Sequence, residues 1–305
     1  MKVIIVGLGV QGRKRRQVAG ADVVGTVDPV LPGADFQRLQ DVPLSAYDAA
    51  CLCVPDGEKL PLLRYLLTQR KHLLVEKPLP AEMEEIRALQ RLSREKRTVC
   101  YTAYNHRFEP HIARLKDTLG SGVLGPLYLV RLFYGNGTAR DVRNSPWRDQ
   151  GAGIVPDLGS HLLDTVLFLL GRPSGDAVLW NVNRFENQAP DHVLFGFPGR
   201  PAIELEATFL SWRNTFTLDL YGELGSAHIH CLCKWGPSTL TLRQRVLPSG
   251  RPKEEVQTLE CPDPTWQLEY QHFQNLCRVG GDNLDNDLWI ASQVQHLHHQ
   301  LKGAP

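Results

Sequence analysis

The sequence lacks an excess of either charge and lacks any long apolar run. Lysine and arginine number 34, and aspartate and glutamate number 33, among 305 residues. This balance gives no reason to expect a nucleic acid or an anionic membrane as partner, so a small molecule is the expected ligand. No segment approaches the ~20 apolar residues of a membrane span. The start, MKVIIVGLGVQG, has the pattern of a strand and a glycine turn rather than of a signal peptide, so a cytoplasmic protein is expected.

The sequence also lacks the paired cysteine or histidine knuckles of a metal site. Its seven cysteines are an odd number, and the pairs Cys51/Cys53 and Cys231/Cys233 are spaced two residues apart in strand-like runs. That spacing puts both thiols of a pair on one face of a strand. Metal ligation stays an alternative, but without a matching knuckle we expect free buried thiols, a reducing cytoplasm and no metal.

The chain is long enough for two domains, and its first part has the pattern of a parallel sheet. Up to about Tyr104, helical stretches alternate with the apolar runs KVIIVG, DVVGTVD, AACLCVP, HLLVEKP and TVCYTAY. Uninterrupted runs of this kind are typical of strands covered on both faces. In AEMEEIRALQRLSRE, apolar residues recur at helical spacing from Met83 to Leu92. We therefore predict a doubly wound α/β sheet over residues 1–118.

After about Asp117 the apolar period becomes two. In AIELEATFL and NTFTLDLYG, apolar and polar residues alternate, as in strands with one buried face. LYLVRLFYG, DHVLFGF and STLTLRQRVL are further candidate strands, and TWQLEYQHFQNLC and NDLWIASQVQHLHHQL return to helical spacing. For residues 119–305 we predict an α+β domain with a large, mostly antiparallel open sheet.

A glycine turn directly follows the first predicted strand. GLGVQG places Gly7, Gly9 and Gly12 in the G-x-G-x-x-G spacing, and Asp28 ends the next strand 21 residues after Gly7 (28 minus 7). The first glycine permits a tight turn, the second lets backbone N–H groups approach a pyrophosphate, and the third lets the helix pack on the strand. This context predicts a Rossmann dinucleotide-binding domain.

Asp28 also bears on which nucleotide binds. A carboxylate accepts hydrogen bonds from a ribose 2′-hydroxyl and repels a 2′-phosphate, so NAD is favoured, although NADP is not excluded. The basic run GRKRRQ, Gly12 to Gln17, could reach a phosphate. Because Pro29 and Val30 rather than an arginine follow Asp28, we interpret the run as a solvated helix face.

A lysine directly follows the carboxyl end of a predicted buried strand. In HLLVEKPLP, His72 to Pro80, the apolar run stops at Glu76, Lys77 and Pro78. Ligands of a doubly wound sheet bind outside the carboxyl ends of its strands, so Lys77 is expected to face the nicotinamide. A lysine there can hold a substrate oxygen and favour the charge that develops as hydride moves. The predicted cofactor-binding residues are Gly7, Gly9, Val10, Gln11, Gly12, Asp28, Val54, Pro55, Glu76 and Lys77.

A second polar motif is GAGIVPDLGSHLLD, Gly151 to Asp164. Pro156 suits the first position of a helix. On that helix, Asp157, His161 and Asp164 fall at i, i+4 and i+7 and share one face. The histidine can act as a general base, and a nearby carboxylate would favour the imidazolium that forms. The alternative is an aspartate that stabilises the helix dipole and a histidine hydrogen-bonded in a domain interface.

Three motifs in order, GLGVQG, VEKP and DLGSHLLD, resemble the glucose-fructose oxidoreductase, inositol dehydrogenase and rhizopine-catabolism (Gfo/Idh/MocA) family. The resemblance covers essentially the whole chain, including CVPD at Cys53 to Asp56 and YNHRF at Tyr104 to Phe108. It implies sugars, inositols or their derivatives as substrates, and a second domain that forms homodimers or homotetramers through its open sheet. It also implies that the Lys-Pro bond is often cis. The catalytic set that it implies is Lys77, Asp157 and His161.

The chain departs from this family in PDGEK, Pro55 to Lys59, which lacks a histidine often found there. The segment Tyr134 to Gly153 resembles a subgroup from carbohydrate or secondary-metabolite pathways, and its Asn136 and Arg140 could contact a polyhydroxylated ligand. Loop solvation and dimer packing are the alternative roles. The predicted substrate contacts are Tyr104, Asn105, Arg107, Trp147, Arg148, Asp157 and His161.

The expected function is NAD-dependent interconversion of a secondary alcohol and a ketone on a sugar, cyclitol or amino sugar. His161 would take the hydroxyl proton, Asp157 would support it, and Lys77 would polarise the oxygen while hydride passes to the nicotinamide. One alternative is a redox-neutral elimination or epimerisation that retains its nucleotide. The other is a nucleotide-sensing regulator, which the presence of Lys77 and His161 disfavours.

Overall fold

The structure is a computed structural model that describes residues 1–79 and 82–303 and divides into two compact units. The two units are Met1–Asn105 with Thr265–Ser292, and His106–Pro264 with Gln293–Pro305. The domain boundary placed at residue 118 stays a prediction. Among the described residues, no helix combines the length and the apolarity that crossing a bilayer would need.

The described chain contains thirteen strands and eight α-helices, besides short 3-10 and π-helical turns. The strands are β1 (Val3–Val6), β2 (Val23–Val27), β3 (Ala49–Leu52), β4 (His72–Glu76), β5 (Cys100–Ala103), β6 (Leu127–Gly135), β7 (Val178–Asn183), β8 (His192–Phe197), β9 (Ala202–Thr208), β10 (Thr215–Gly222), β11 (Gly225–His230), β12 (Ser238–Gln244) and β13 (Lys253–Leu259). The helices are α1 (Val10–Ala19), α2 (Asp56–Thr68), α3 (Met83–Lys96), α4 (Pro110–Gly120), α5 (Ala139–Arg143), α6 (Ser160–Leu170), α7 (Thr265–Val279) and α8 (Leu284–Lys302).

The first unit is built on a parallel five-stranded sheet in the order β2-β1-β3-β4-β5. Both of its faces are covered, which explains the uninterrupted apolar runs. Ile4 and Val6 of β1 belong to the core that includes residues of α2 and α3. Val3 and Ile5 belong to the opposite core, which includes residues of α1 and α7. The helix α7, from late in the chain, therefore completes the predicted doubly wound sheet, which is confirmed.

The second unit is built on an eight-stranded sheet in the order β13-β12-β11-β10-β6-β9-β8-β7. Every neighbouring pair is antiparallel except β6 and β9, so the predicted, mostly antiparallel sheet is confirmed. Its buried face carries Leu132, Leu205 and Leu218, each at most 2% exposed. The helices α4 and α6 contact strands of this sheet. The outward residues between these positions remain partly exposed.

Two sequence interpretations need correction. The regular helix expected from Pro156 is wrong in its first turn, because Val155–Gly159 forms a π-helix before α6 begins at Ser160. All seven cysteines are free, but only Cys51 and Cys233 of the two pairs are buried, whereas Cys53 and Cys231 are partly exposed.

Candidate active site

The glycine turn between β1 and α1 has the geometry that its spacing predicts. Gly7 has a φ of +89°, and a Cβ placed there would lie 2.4 Å from the Cys53 carbonyl oxygen. A Cβ on Gly12 would lie 1.8 Å from the Gly7 carbonyl oxygen, so only glycine lets the start of α1 pack this closely against the turn. A Cβ on Gly9 would meet nothing within 4 Å. Gly7 and Gly12 are thus required by packing, while Gly9 leaves space where backbone N–H groups at the start of α1 can approach an anion.

Asp28 follows β2 and is tied directly to the glycine turn. Its carboxylate accepts hydrogen bonds from the backbone N–H groups of Leu8 at 2.8 Å, Val30 at 2.9 Å and Leu31 at 2.8 Å. Burial alone would raise the pKa of Asp28, but these hydrogen bonds outweigh burial and lower it. Asp28 is therefore an ionised carboxylate at neutral pH, with lone pairs left for a ribose hydroxyl.

Four predicted elements of the nucleotide site lie at one edge of the parallel sheet. The turn at Gly7 follows β1, Asp28 follows β2, Val54 follows β3, and Lys77 follows β4. Since parallel strands have their carboxyl ends at the same edge, these residues lie at one edge of the sheet although they are far apart in the sequence. The Lys77–Pro78 peptide bond is cis, in agreement with the expectation. Lys77 and Val54 are partly exposed, and Pro55 is exposed.

The basic run on α1 is not wholly solvated, so our interpretation of it is wrong for one residue. Arg13, Lys14 and Arg16 are exposed, but the Arg15 side chain is only 1% exposed. Its Nε lies 2.6 Å from the Glu76 carboxylate, and a terminal nitrogen lies 2.7 Å from Glu269. Arg15 therefore braces the strand end that carries Lys77 and is not positioned as a surface cation.

In the second unit, the π-helical turn and α6 carry the residues of the DLGSHLLD motif. The π-helix adds a residue to the turn that holds Asp157, so the predicted i, i+4, i+7 spacing no longer describes a single α-helical face. Asp157 accepts a hydrogen bond from Arg148 at 3.1 Å. Burial raises the pKa of Tyr134, and the negative charge of Asp157 raises it further. Asp157 is thus paired with a cation and acts electrostatically on a buried tyrosine.

His161 is 7% exposed and stacks on a second histidine. The rings of His161 and His106 are 4.2 Å apart between centroids, with an interplanar angle of 18°. The Lys234 Nζ lies 3.0 Å from His106 Nε2. An ammonium can only donate, so this nitrogen accepts and the His106 ring is neutral. A neutral ring avoids the repulsion that two stacked imidazolium rings would impose if His161 took a proton.

Arg107 has a structural partner at the end of the same motif. Its Nε and a terminal nitrogen donate to the Asp164 carboxylate at distances from 2.5 to 3.0 Å. Asp164 is fully buried, and burial raises its pKa although Arg107 opposes that rise. The substrate role of Arg107 stays a prediction. The ion pair shows that Arg107 also neutralises the buried Asp164 carboxylate.

The remaining substrate candidates differ in exposure. Tyr104 is 1% exposed, and Asn105 donates a hydrogen bond to the Thr265 hydroxyl at 2.9 Å, so both are packed within the first unit. Trp147 is 56% exposed. Asn136 accepts from the Thr138 N–H at 3.1 Å and hydroxyl at 2.8 Å and so shapes its own loop. Arg140 has an 80% exposed side chain.

Sequence reasoning missed three residues that contact His161 or its ring neighbours His106 and Tyr134. His106 is part of YNHRF but was not selected, and Lys234 and Trp235 carry no motif at all. The Trp235 ring lies 5.6 Å from the Tyr134 ring, and the Lys234 ammonium lies 4.5 Å from the Trp235 ring centroid. These side chains come together from distant segments, so no local spacing could have indicated them.

Known proteins with related sequences match both parts of the chain. Residues 1–104 match a family described as "Oxidoreductase family, NAD-binding Rossmann fold", and residues 112–228 match the GFO/IDH/MocA C-terminal domain. An uncharacterised oxidoreductase of Escherichia coli (strain K12) is 29% identical over 184 residues, which are 59% of this chain and 52% of the relative. Inositol 2-dehydrogenase of Rhizobium meliloti (strain 1021) is 25% identical over 162 residues, 51% of this chain and 48% of the relative. The chain thus aligns with about half the length of these curated relatives.

A solved structure extends the likeness of fold to nearly the whole chain. Levoglucosan dehydrogenase in complex with NADH has a TM-score of 0.81 at 19% identity, with 98% of this chain and 97% of that chain covered. Identity this low shows a shared fold. The two family matches go further: the chain belongs to the GFO/IDH/MocA family of oxidoreductases, whose N-terminal part is an NAD-binding Rossmann domain.

Proposed function

We propose that this protein is an NAD-dependent oxidoreductase that interconverts a secondary alcohol and a ketone on a sugar, cyclitol or amino sugar. One observation carries the proposal: the glycine turn, Asp28 and Lys77 lie at the same carboxyl edge of the parallel sheet. A dinucleotide on the turn and a cation at the same edge are the groups that hydride transfer needs. The names inositol 2-dehydrogenase and levoglucosan dehydrogenase, carried by two relatives, support a polyhydroxylated ring as substrate.

In the proposed mechanism, the residues of this chain handle the proton and the developing charge. Bound NAD would supply the hydride acceptor. Lys77 donates a hydrogen bond to the reacting oxygen and stabilises its negative charge. His161 takes the hydroxyl proton, and the carboxylate of Asp157, held by Arg148, favours the imidazolium. Neutral His106 stacks on the base and leaves it able to accept that proton.

The test is NADH absorbance with purified protein, NAD or NADP, and a panel of free sugars, inositols, amino sugars and nucleotide sugars. We expect turnover of one substrate class, and a loss of at least about 100-fold in kcat in Lys77→Ala, because the transition-state charge loses its partner. Lys253→Ala is the matched control, since Lys253 is an exposed lysine on β13. Its kcat should stay close to that of the wild type.

Three outcomes would contradict parts of the proposal. Equal turnover in Lys77→Ala would remove the lysine from the mechanism. A strong preference for NADP would contradict the role given to Asp28. If no substrate of the panel changes the NADH absorbance while nucleotide is still bound, the redox-neutral reaction or the nucleotide sensor is favoured.

A further inference from the structure

The helix α2 carries a lysine that is buried in the segment where the chain departs from its family. The Lys59 side chain is 2% exposed. Its ammonium donates to the Glu76 carbonyl at 2.7 Å and the Pro78 carbonyl at 2.8 Å, and it pairs with the Asp56 carboxylate at 2.8 Å. An ammonium has three donors, and all three are used here. Burying such a group is costly unless it is paired, so the site needs a cation and not merely a side chain of this size.

The carbonyl groups that Lys59 holds belong to the residues on either side of Lys77. Burial lowers the pKa of Lys59, the charges of Asp56 and Glu76 oppose this, and the charge of Lys77 adds to it. The two lysines are therefore close enough to affect each other electrostatically. The Lys59 ammonium holds the backbone on both sides of Lys77, while the Lys77 side chain itself remains partly exposed.

A second brace acts on the same strand end through a side chain. Arg15 holds the Glu76 carboxylate at 2.6 Å and is held in turn by Glu269 at 2.7 Å. The guanidinium also lies 4.2 Å from the centroid of the Trp266 ring. Glu76 is thus held by its carboxylate and by its carbonyl oxygen, from two different helices. This leaves the segment from Glu76 to Pro78 little freedom to change conformation.

We propose that Lys59 is a positioning residue for Lys77, which fixes the backbone that aims the Lys77 ammonium at the reacting oxygen. The inference rests on the proposed function, since it gives Lys77 a catalytic role. A misplacement of about 1 Å can cost about 100-fold in rate, so a cation that clamps both flanking carbonyls can control kcat without touching substrate.

The chain offers a matched control in Lys71. Its ammonium donates to two backbone carbonyls, Leu44 at 2.6 Å and Tyr47 at 2.7 Å, and lies 4.7 Å from the Tyr47 ring centroid. It therefore has the same kind of bracing role in the same unit, but it braces a loop without any proposed site residue. Lys59→Met and Lys71→Met should both lower the urea concentration at the unfolding midpoint.

Kinetics separates a general brace from a positioning residue. We expect Lys59→Met to lower kcat by roughly 10- to 100-fold with little change in KM or in NAD binding, and Lys71→Met to keep kcat within about twofold. In a Lys77→Ala background, Lys59→Met should cause no further loss, because its effect acts through Lys77. Should Lys59→Met fail to fold, Lys59→Gln is the second variant. Its amide can still donate to one carbonyl, and its kcat should lie between those of the wild type and Lys77→Ala.

A readout without substrate keeps the two proposals distinguishable. Trace labelling of amines with acetic anhydride, followed by peptide mass spectrometry, gives the reactivity of Lys77 relative to the exposed Lys14. Lys59→Met should change this ratio severalfold, and Lys71→Met should not. If the wild type turns over no substrate while the ratio changes, the proposed function fails and the positioning role stands. If Lys59→Met matches Lys71→Met in both kcat and labelling, or if its loss persists in full without Lys77, the inference is overturned.

Discussion

Single glycines have different tasks in the turn that follows β1. An added Cβ at Gly12 would lie 1.8 Å from a backbone oxygen, whereas an added Cβ at Gly9 would meet nothing within 4 Å. We expect Gly12→Ala to cost at least about 3 kcal/mol of unfolding free energy or to abolish folding, because backbone atoms must move. Gly9→Ala should cost no more than about 1 kcal/mol as a helix cap yet weaken NADH binding by about tenfold.

Two measurements check the glycine prediction. Urea unfolding gives the stability of each variant, and the fluorescence of NADH during titration gives its dissociation constant. Gly57→Ala on α2 is the control, since a Cβ there also meets nothing within 4 Å and lies outside the G-x-G-x-x-G turn. If Gly9→Ala bound NADH as tightly as the control variant, the anion-approach role of Gly9 would be wrong.

At the scale of the element, a buried ion pair anchors α6. Asp164 of α6 is 1% exposed in its side chain and Arg107, in the turn Asn105–Phe108, is 20% exposed. Removing one partner leaves a buried charge alone, so we expect Arg107→Leu to cost roughly 3–5 kcal/mol of unfolding free energy at neutral pH. Arg107→Leu with Asp164→Leu should recover part of this loss. Arg38→Leu, which breaks the exposed Arg38–Asp41 pair, is the control and should change stability little.

The same pair predicts a pH dependence with a definite sign. Burial raises the pKa of Asp164 in the folded protein above its unfolded value of about 3.9. Above that unfolded value the ionised carboxylate is disfavoured in the fold, so stability falls as pH rises toward the folded pKa. Without Arg107 the opposing cation is gone and the effect grows. Urea unfolding at several pH values should show the Arg107→Leu deficit shrink as pH falls toward about 4, and a deficit independent of pH would contradict this account.

Across the whole molecule, local patterns predicted the strands that bury at least one full face. The strands β1 to β5 lie in a sheet covered on both faces, β10 alternates throughout and β9 alternates up to Ala207, so both sets appear in the sequence. The strands β7 and β13 are the edges of their sheet, and most of their residues are exposed. They were missed because a strand with few buried residues shows little alternation of apolar and polar residues in its sequence. In β11 only Ala227 and Ile229 mark the buried face, too few to indicate a strand.

The residues of the candidate site also fall into two groups, those that a local sequence pattern fixes and those that distant partners fix. The glycine turn and Lys77 were predictable because a short local pattern fixes them at a strand end. The buried charges Arg15 and Lys59 were not, because each contacts Glu76, at separations of 61 and 17 residues, and a charged residue on a helix is ordinarily solvated. The stack of His106 on His161 is equally non-local. A sequence pattern can place a residue on an element, but only the fold selects its partners.

The outward face of the eight-stranded sheet bears on assembly, which we predicted as a homodimer or homotetramer. On this face Phe133 of β6 lies opposite Thr217 of β10 and Glu206 of β9. In a twofold assembly through this face, a charge at this position enters the interface twice, once from each subunit. We expect the wild type to sediment as a dimer or larger at micromolar concentration and Phe133→Asp as a monomer. Unfolding free energy should stay within about 1 kcal/mol, since the side chain is already partly exposed.

Val123→Asp provides the matched control for this test of assembly. Val123 is 51% exposed in the turn that follows α4 and lies outside the sheet, so the same charge there should leave the assembly unchanged. Analytical ultracentrifugation over a range of concentrations measures all three proteins. A stable interface removes at least about 1,200 Å² of surface from water, and two aspartates buried in it, one from each subunit, are enough to weaken it. If the wild type is a monomer, or if Phe133→Asp assembles like Val123→Asp, this face of the sheet is not the subunit interface, and the partial exposure of Phe133 is an ordinary feature of a wet strand face.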